Sequence, residues 1–275
     1  MLMPKRQGPE MVIENRDGIE TYYEAFGDPE GEAIVLLHGL GADHAMWEPQ
    51  IETFAEAGYQ VVAPDLLGHG RSSSVERLTL EDWEVQVEDL LEERGIHHCI
   101  LVGVSMGGVI AQAYEVHRPE KVDRLILCDT FAELGTVSER ARGFVQVMGF
   151  RLVKLVGPRM LGRLMASAYS APFAQQARQY FTEVSADADL DQLILARKAI
   201  NRVDLLDEMR GVDVPALVLV GDGFGEWFTE INRQVADAIE GARFVVLERA
   251  LDPSNLVNPV GFNREVLAFL EGGSH

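Results

Sequence analysis

Most of the predicted strands in this chain are short, continuous runs of apolar residues, without alternating polar positions. Continuous runs are typical of strands that are covered on both faces, as in a parallel sheet. Two earlier segments, residues 11–14 and 19–26, flank the turn-forming pair Asp17-Gly18 and predict an antiparallel hairpin. The continuous runs then follow at residues 33–37, 59–63, 99–102, 125–128, 216–220 and 244–247.

Helical patterns separate several of these runs. Thr79 is suited to cap a helix that ends at Gly95, and Asn258-Pro259 is suited to begin a final helix with one apolar face. Consecutive parallel strands are joined by right-handed crossovers, usually through a helix. The alternation therefore predicts an α/β fold with a doubly wound, mostly parallel sheet that follows the N-terminal hairpin.

One long interval contains helical patterns but no convincing strand. It covers residues 131–208 and is interrupted by the helix-breaking pairs Gly157-Pro158 and Ala171-Pro172. We expect three or four helices here, placed as a cap over one end of the sheet. The predicted organisation is therefore a core from residues 1–130 and 209–275, with the cap, or lid, inserted between its two parts.

Composition and charge narrow the classes of function. The 24 Lys+Arg and 44 Asp+Glu of this 275-residue chain give a formal net charge of −20, whereas proteins that bind nucleic acid carry a basic face. The N-terminus lacks the apolar segment of a signal peptide, and no run approaches the ~18 apolar residues of a membrane span. Cys99 and Cys128 lie within predicted strands and are expected to be free thiols. We expect a cytoplasmic protein that binds neither nucleic acid nor membrane.

The strongest chemical signal is the segment Gly103-Val104-Ser105-Met106-Gly107-Gly108, which lies between a predicted strand and a predicted helix. A strand, a tight turn and a helix are the setting of a nucleophile elbow, in which the backbone turns sharply and exposes a serine. The flanking glycines permit the turn and the close approach of strand and helix. We expect Ser105 to have a φ angle in a sparsely populated region.

Two further segments follow predicted strands. They are His38-Gly39-Leu40-Gly41 and the stretch from Asp65 to Ser72, which reads Asp-Leu-Leu-Gly-His-Gly-Arg-Ser. Together with the serine segment, their order and spacing resemble the α/β-hydrolase superfamily, and the similarity extends from the hairpin at residue 11 to the last helix. Within that superfamily the chain looks most like the small capped esterases, lactonases and carbon–carbon bond hydrolases.

The resemblance implies a particular chemistry. Ser105 would attack a carbonyl carbon to form an acyl-enzyme, which water then hydrolyses. The backbone N–H groups of Leu40 and Met106 would form the oxyanion hole that stabilises the negative charge on the carbonyl oxygen. The substrate would be a small molecule, and the resemblance implies neither a metal nor a cofactor.

The sequence departs from the family at the other two positions of the catalytic triad. The family's acid lies in a Gly-x-x-Asp pattern after a late strand, and the corresponding stretch here is Gly221-Asp222-Gly223-Phe224. The family's histidine follows the next strand, where this chain has Leu251-Asp252, and no histidine occurs between His117 and His275. Phe224 and Asp252 thus stand where the acid and the histidine are expected.

Two interpretations of Asp252 remain open. It is a general base if an apolar site, with Phe224 as one wall, raises its pKa from the ordinary value of ~3.9 toward neutrality. Otherwise it is a turn residue before Pro253. Other candidates for the site are His44 and Trp47, which lie just beyond the first glycine-rich loop, and the carboxylates Asp129 and Asp222, which lie near positions where family members place their acid.

Three classes of function follow from this pattern. The first is a hydrolase of small carboxylic esters, lactones or thioesters that uses Ser105 with an altered base. The second is a lyase, cyclase or isomerase that stabilises an enolate in the oxyanion hole without an acyl-enzyme. The third is a non-catalytic relative that binds a small ligand beneath the lid.

Overall fold

An eight-stranded sheet lies at the centre of the computed structural model, which describes residues 10–15 and 17–272. The strand order is β1-β2-β4-β3-β5-β6-β7-β8. The strands from β3 onward pair in parallel, and β2 pairs antiparallel with both β1 and β4. Their bounds are β1 Glu10–Glu14, β2 Glu20–Gly27, β3 Ala33–Leu37, β4 Gln60–Pro64, β5 Cys99–Val104, β6 Val122–Cys128, β7 Ala216–Gly221 and β8 Arg243–Leu247. The predicted doubly wound, mostly parallel α/β sheet is confirmed.

Ten α-helices accompany the sheet in the described part of the chain. Those that pack on the sheet or connect its strands are α1 Glu48–Glu56, α2 Leu80–Arg94, α3 Met106–His117, α8 Glu226–Ala238, α9 Ser254–Val257 and α10 Pro259–Gly272. The predicted cap of α2 is confirmed, because the Thr79 hydroxyl accepts a hydrogen bond from the Asp82 N–H and the Asp82 side chain accepts one from the Thr79 N–H. Gly95 ends this helix in the left-handed conformation, with φ of 64°.

The sheet is buried on both faces, as the continuous apolar runs predict. On one face Trp83 of α2 and Tyr114 of α3 are fully buried, and on the other Trp47 and Phe262 of α10 are fully buried. Every residue of β3, β4 and β5 is buried. The sheet therefore forms a rigid support for the loops at its carboxyl edge.

Four helices lie between β6 and β7: α4 Val137–Val156, α5 Pro158–Ala168, α6 Gln175–Val184 and α7 Leu190–Ile200. The segment crosses the carboxyl edge of the sheet. On α7, the Gln192 side chain donates to the Val75 carbonyl and accepts from the Val75 N–H, and Leu193 lies beside Gly41. Helix α7 is thereby held over the loops that follow β3 and β4. None of the described helices is long and apolar enough to cross a membrane.

Candidate active site

Ser105 occupies a sharp turn between β5 and α3. Its φ is 55° and its ψ is −114°, so the expected sparsely populated backbone conformation is confirmed. A Cβ atom at Gly103 would lie 2.3 Å from the Gly107 carbonyl oxygen, and one at Gly107 would lie 2.0 Å from the Leu37 carbonyl oxygen. Because neither position has room for a side chain, both glycines are needed for α3 to approach β5 and β3 closely.

Hydrogen bonds hold the backbone of the turn from the side of β6. The Ser105 N–H donates to the Cys128 carbonyl oxygen at 2.9 Å, and the Thr130 hydroxyl donates to the Ser105 carbonyl oxygen at 2.9 Å. The Thr130 N–H in turn donates to the Asn232 side chain at 2.8 Å. The strained turn is therefore fixed by neighbouring strands and helices, as the persistence of an unfavourable φ requires.

The Ser105 hydroxyl is paired with Asp252. Its Oγ donates to Asp252 Oδ2 at 3.0 Å, although the two residues are 147 positions apart in the chain. The loop that carries Asp252 is held from the helical segment, because the Tyr169 hydroxyl donates to the Asp252 carbonyl oxygen at 2.6 Å. Asp252 is thus both the residue before Pro253 and the hydrogen-bond partner of the Ser105 hydroxyl.

A second carboxylate, Asp129, lies behind this pair and anchors the same loop. Asp129 is 1% exposed and has φ of 51°. It accepts hydrogen bonds from the Gly221 N–H at 2.9 Å, from the Ser254 N–H at 2.6 Å and from the Ser254 hydroxyl at 3.0 Å. Asp129 therefore ties the end of β7 and the residues after Asp252 to the end of β6.

The two carboxyl groups have raised pKa values. Burial raises the pKa of Asp252 well above its ordinary value, and the negative charge of Asp129 raises it further; the Ser105 hydroxyl and the Arg197 guanidinium act in the opposite direction. Burial also raises the pKa of Asp129, against the hydrogen bonds from Gly221, Ser254 and Cys128 that favour its charged form. The environment thus makes Asp252 a stronger base than an ordinary aspartate.

The raised pKa has a consequence for stability. When a carboxyl group has a higher pKa in the folded state than in the unfolded state, the free energy of unfolding falls as the pH rises from the unfolded pKa through the folded pKa. Asparagine keeps the shape and does not titrate, so Asp252→Asn is expected to be more stable than the wild type at about pH 9, by roughly 1–3 kcal/mol. The difference in free energy of unfolding between Asp252→Asn and wild type should be smaller at about pH 5. Urea unfolding at both pH values measures this difference.

The exposed carboxylate Asp222 provides the matched control for this measurement. Its Oδ1 accepts a hydrogen bond from the Ala250 N–H at 3.3 Å. The same chemical change, Asp222→Asn, leaves Asp252 in place, so the loss of stability that Asp252 causes between about pH 5 and about pH 9 should persist in this variant. A pH-independent difference between Asp252→Asn and wild type would contradict a raised pKa at Asp252.

The two residues proposed for the oxyanion hole lie on either side of Ser105. Met106 begins α3, and Leu40 follows Gly39, at which a Cβ atom would lie 3.4 Å from the Ser105 Cβ. Neither backbone N–H donates a hydrogen bond to another described residue. Both donors thus flank the serine, and the positive end of the α3 dipole adds to the field at this point.

His38 holds the loop that carries Leu40. Its Nδ1 lies 2.8 Å from the Gly39 carbonyl oxygen, and its Nε2 accepts a hydrogen bond from the Leu66 N–H at 2.9 Å. Acceptance at Nε2 requires the proton to be on Nδ1, which donates to Gly39. Burial lowers the pKa of His38, so the ring stays neutral and joins the loops that follow β3 and β4.

His44, one of the candidates for the site, is directed at carboxylates other than Asp252. Its Nδ1 lies 2.7 Å from Asp65 Oδ1, and its Nε2 lies 3.4 Å from Glu24 Oε1. Burial opposes the charged ring, but the hydrogen bond and charge of Asp65 raise the His44 pKa overall. Both ring nitrogens are thus engaged by Asp65 and Glu24.

Three other sequence candidates also differ from expectation. Trp47 is fully buried in the core with its ring centroid 6.1 Å from that of Phe262, so it packs the fold. Phe224 is 41% exposed and packs edge-to-face on Phe228, so it does not form a buried apolar wall for Asp252. Asp222 is exposed, and its side chain holds the Ala250 N–H.

Sequence reasoning missed two residues that the helical segment contributes. Tyr169 hydrogen-bonds the Asp252 carbonyl, and Arg197 is close enough to Asp252 for each charge to affect the pKa of the other. Both residues lie in amphipathic stretches, where an aromatic or a basic residue carries no local signal of a site. Only the packing of α5 and α7 against the sheet brings them near Asp252.

Known proteins are similar to this chain over most of its length. The chain is 27% identical over 259 residues to a putative carbamate hydrolase from Variovorax paradoxus, covering 90% of this chain and 95% of that protein. It is 26% identical to 3-oxoadipate enol-lactonase 1 from Acinetobacter baylyi, covering 77% of this chain and 78% of that protein. The crystal structure of the enol-lactonase from Burkholderia xenovorans superposes with a TM-score of 0.79 at 26% identity, covering 96% of this chain and 100% of that chain.

A family model described as the alpha/beta hydrolase fold matches residues 32–202. The match covers more than half of the chain, including β3, the turn at Ser105 and β6. The sheet order, the strained serine and these similarities lead to the same conclusion: this protein belongs to the α/β-hydrolase fold family.

Proposed function

We propose that this protein hydrolyses a small carboxylic ester, lactone or thioester, with Ser105 as the nucleophile and Asp252 as the general base. The observation that carries the proposal is the 3.0 Å hydrogen bond from Ser105 Oγ to Asp252 Oδ2. A nucleophile and its base must lie within hydrogen-bond reach of each other, and this pair does. The similarity to a putative carbamate hydrolase and to enol-lactonases supports a hydrolytic reaction at a carbonyl centre.

In the first half of the reaction, Ser105 Oγ attacks the carbonyl carbon while its proton passes to Asp252 Oδ2. The carbonyl oxygen becomes an oxyanion, which the N–H groups of Leu40 and Met106 stabilise. The tetrahedral intermediate collapses, and the proton on Asp252 is transferred to the leaving oxygen or sulfur. This leaves an acyl group on Ser105 and a free carboxylate at Asp252.

In the second half, Asp252 takes a proton from a water molecule that attacks the acyl carbon. The second oxyanion forms at the same two N–H groups, and its collapse returns the proton from Asp252 to Ser105 Oγ. The net change is the addition of one water across the ester or lactone bond. Each proton transfer uses the same short path between a reacting oxygen and Asp252.

The environment of Asp252 makes it a stronger base than an ordinary aspartate. An ordinary carboxylate accepts a proton poorly at neutral pH because its pKa is ~3.9. Burial and the nearby Asp129 raise the pKa of Asp252. Asp129 also holds the loop through Ser254, so it supports the base in both charge and position.

We further propose that residues 131–208 act as the lid of the site. The support for this role is that Tyr169 of the segment bonds the Asp252 backbone and that α7 lies over the loop of Leu40. A lid of this kind excludes water, which strengthens electrostatic interactions in the site. It also supplies side chains that select the substrate.

A fluorophosphonate probe tests the assignment of the nucleophile. The probe reacts covalently with activated serines, so we expect stoichiometric labelling of the peptide that contains Ser105, read by mass spectrometry. Labelling should be lost in Ser105→Ala and should persist in the control Ser138→Ala, which changes an exposed serine near the start of α4. Tight binding of small carbonyl compounds without any labelling would contradict the hydrolase proposal and favour a ligand-binding or lyase function.

A further inference from the structure

Helix α4 has apolar residues on two opposite faces. On its inner face, Phe150 and Val153 belong to a buried cluster that also contains Leu161 of α5 and Leu193 of α7. A surface helix ordinarily carries polar side chains on the face that points away from such a cluster. Seven other residues of α4 instead repeat at intervals that place them together on that side, and we call them the outer face: Ala141, Phe144, Val145, Met148, Leu152, Leu155 and Val156.

Most of the outer face is exposed in the described part of the chain. Phe144 is 63% exposed and Leu155 is 84% exposed, and Val145, Leu152 and Val156 are each at least 60% exposed. Seven of the thirteen exposed large apolar side chains among the described residues lie between residues 137 and 164. Apolar side chains that are exposed singly are ordinary, but a continuous exposed patch marks a surface that binds a partner.

Basic side chains accompany this apolar surface. Helices α4 and α5, residues 137–168, contain six Lys or Arg and one acidic residue, so their formal charge is +5, whereas that of the whole chain is −20. Arg159 and Arg163 are exposed and lie one turn apart on α5. Arg151 is exposed on α4, and its Nη1 lies 3.8 Å from the Sδ atom of Met148 on the outer face. The partner of this surface should therefore be apolar and anionic.

We propose that the outer face of α4, together with the exposed arginines of α4 and α5, binds a surface of anionic phospholipid. A helix of this kind lies in the plane of the bilayer surface, with its apolar side chains at the boundary between headgroups and acyl chains. Its basic side chains then lie at the level of the anionic headgroups. The inference is independent of the proposed hydrolysis, because it concerns the outside of the helical segment.

The local charge, and not the net charge, governs this interaction. The expectation that the protein binds no membrane took the charge of the chain as a whole and the lack of a spanning segment. Charges further from the lipid than the Debye length of about 8 Å are largely screened at physiological ionic strength. The basic residues of α4 and α5 act at close range, and binding in the plane of the surface needs no spanning segment.

A second copy of this chain fits the surface less well. A two-fold dimer buries the same patch of both subunits, so it would place one group of basic side chains against another. The other exposed large apolar side chains are distributed over β1, α2, β8, α10 and the region where α8 begins. They offer no comparable apolar patch for the outer face of a neighbouring copy. Anionic headgroups neutralise the arginines, and acyl chains accept the apolar side chains.

Cosedimentation with sucrose-loaded vesicles tests the proposal. One set of vesicles contains equal parts of phosphatidylglycerol and phosphatidylcholine, and the other contains phosphatidylcholine alone. We expect the wild type to bind the first set at least about tenfold more tightly than the second, since each basic residue near an anionic surface contributes about 1 kcal/mol. Equal binding to both sets, or binding to neither, would overturn the proposal.

Two valines test the apolar part of the surface. Val145→Gln combined with Val156→Gln is expected to weaken binding to the phosphatidylglycerol vesicles by about tenfold, because it removes two apolar side chains from the contact. Val85→Gln combined with Val260→Gln makes the same chemical change at exposed valines of α2 and α10, and should leave binding at the wild-type level. Circular dichroism checks that both variants fold. Equal binding by the two variants would contradict a role for the outer face.

Two arginines test the charged part in the same way. Arg159→Gln combined with Arg163→Gln should weaken binding to the phosphatidylglycerol vesicles by about tenfold. Arg210→Gln combined with Arg264→Gln removes two exposed charges elsewhere, and should bind as the wild type does. Sedimentation velocity without lipid examines the alternative partner. A dimer that dissociates in the variant with both Val145→Gln and Val156→Gln, in a protein that binds no vesicles, would assign the surface to a second copy and reject the lipid.

Discussion

Asparagine in place of Asp252 is expected to lower kcat for an activated aryl ester by about 10²–10⁴-fold, the usual contribution of a general base. The amide still accepts a hydrogen bond from the Ser105 hydroxyl, but it cannot take the proton that the serine must lose. Substrate binding should change much less than kcat. Steady-state kinetics with a nitrophenyl ester measures both values.

The pH profile of the wild type gives a second measure of the same group. Only the deprotonated carboxylate acts as a base, so the rate should rise with pH through the raised pKa of Asp252. The acidic limb should therefore lie above the ~3.9 of an ordinary aspartate. It should disappear in Asp252→Asn and persist in Asp222→Asn, whose exposed side chain lies in the adjacent loop. Equal activity of Asp252→Asn and wild type would show that another group accepts the proton.

Histidine in place of Asp252 is expected to raise turnover of the same ester above wild type, by roughly 10²-fold. An imidazole with a pKa of ~6.5 is a better base at neutral pH than a carboxylate. Asp129 lies behind position 252 and bonds Ser254, so a carboxylate is already present to orient the ring. The new residue would complete a serine, histidine and aspartate triad.

A second substitution decides which position supports the histidine. The family's Gly-x-x-Asp pattern places the acid at Phe224, whereas the structure places Asp129 beside the loop of Asp252. Higher turnover in Asp252→His alone would identify Asp129 as the supporting acid. Higher turnover only when Phe224→Asp is added would identify position 224 as the supporting acid. No gain from either folded variant would contradict the placement of a histidine site at position 252.

The hydrophobic pattern and the turn residues determined most of the secondary structure. Residues 33–37 were predicted as a strand and form β3 with the same bounds, and Thr79 and Gly95 begin and end α2 as predicted. The turn at Ser105 was also predictable, because two glycines must flank a backbone that bends so sharply. These features depend on interactions within a few residues, so a local pattern carries them.

Tertiary structure alone decided which side chains form the site. Asp252 and Ser105 are 147 residues apart, and they meet because Asp129 and Tyr169 hold the loop of Asp252 over the end of the sheet. His44 follows the oxyanion loop in sequence, yet Asp65 turns its ring away. Such pairings depend on loop conformation and on burial, which no local periodicity encodes.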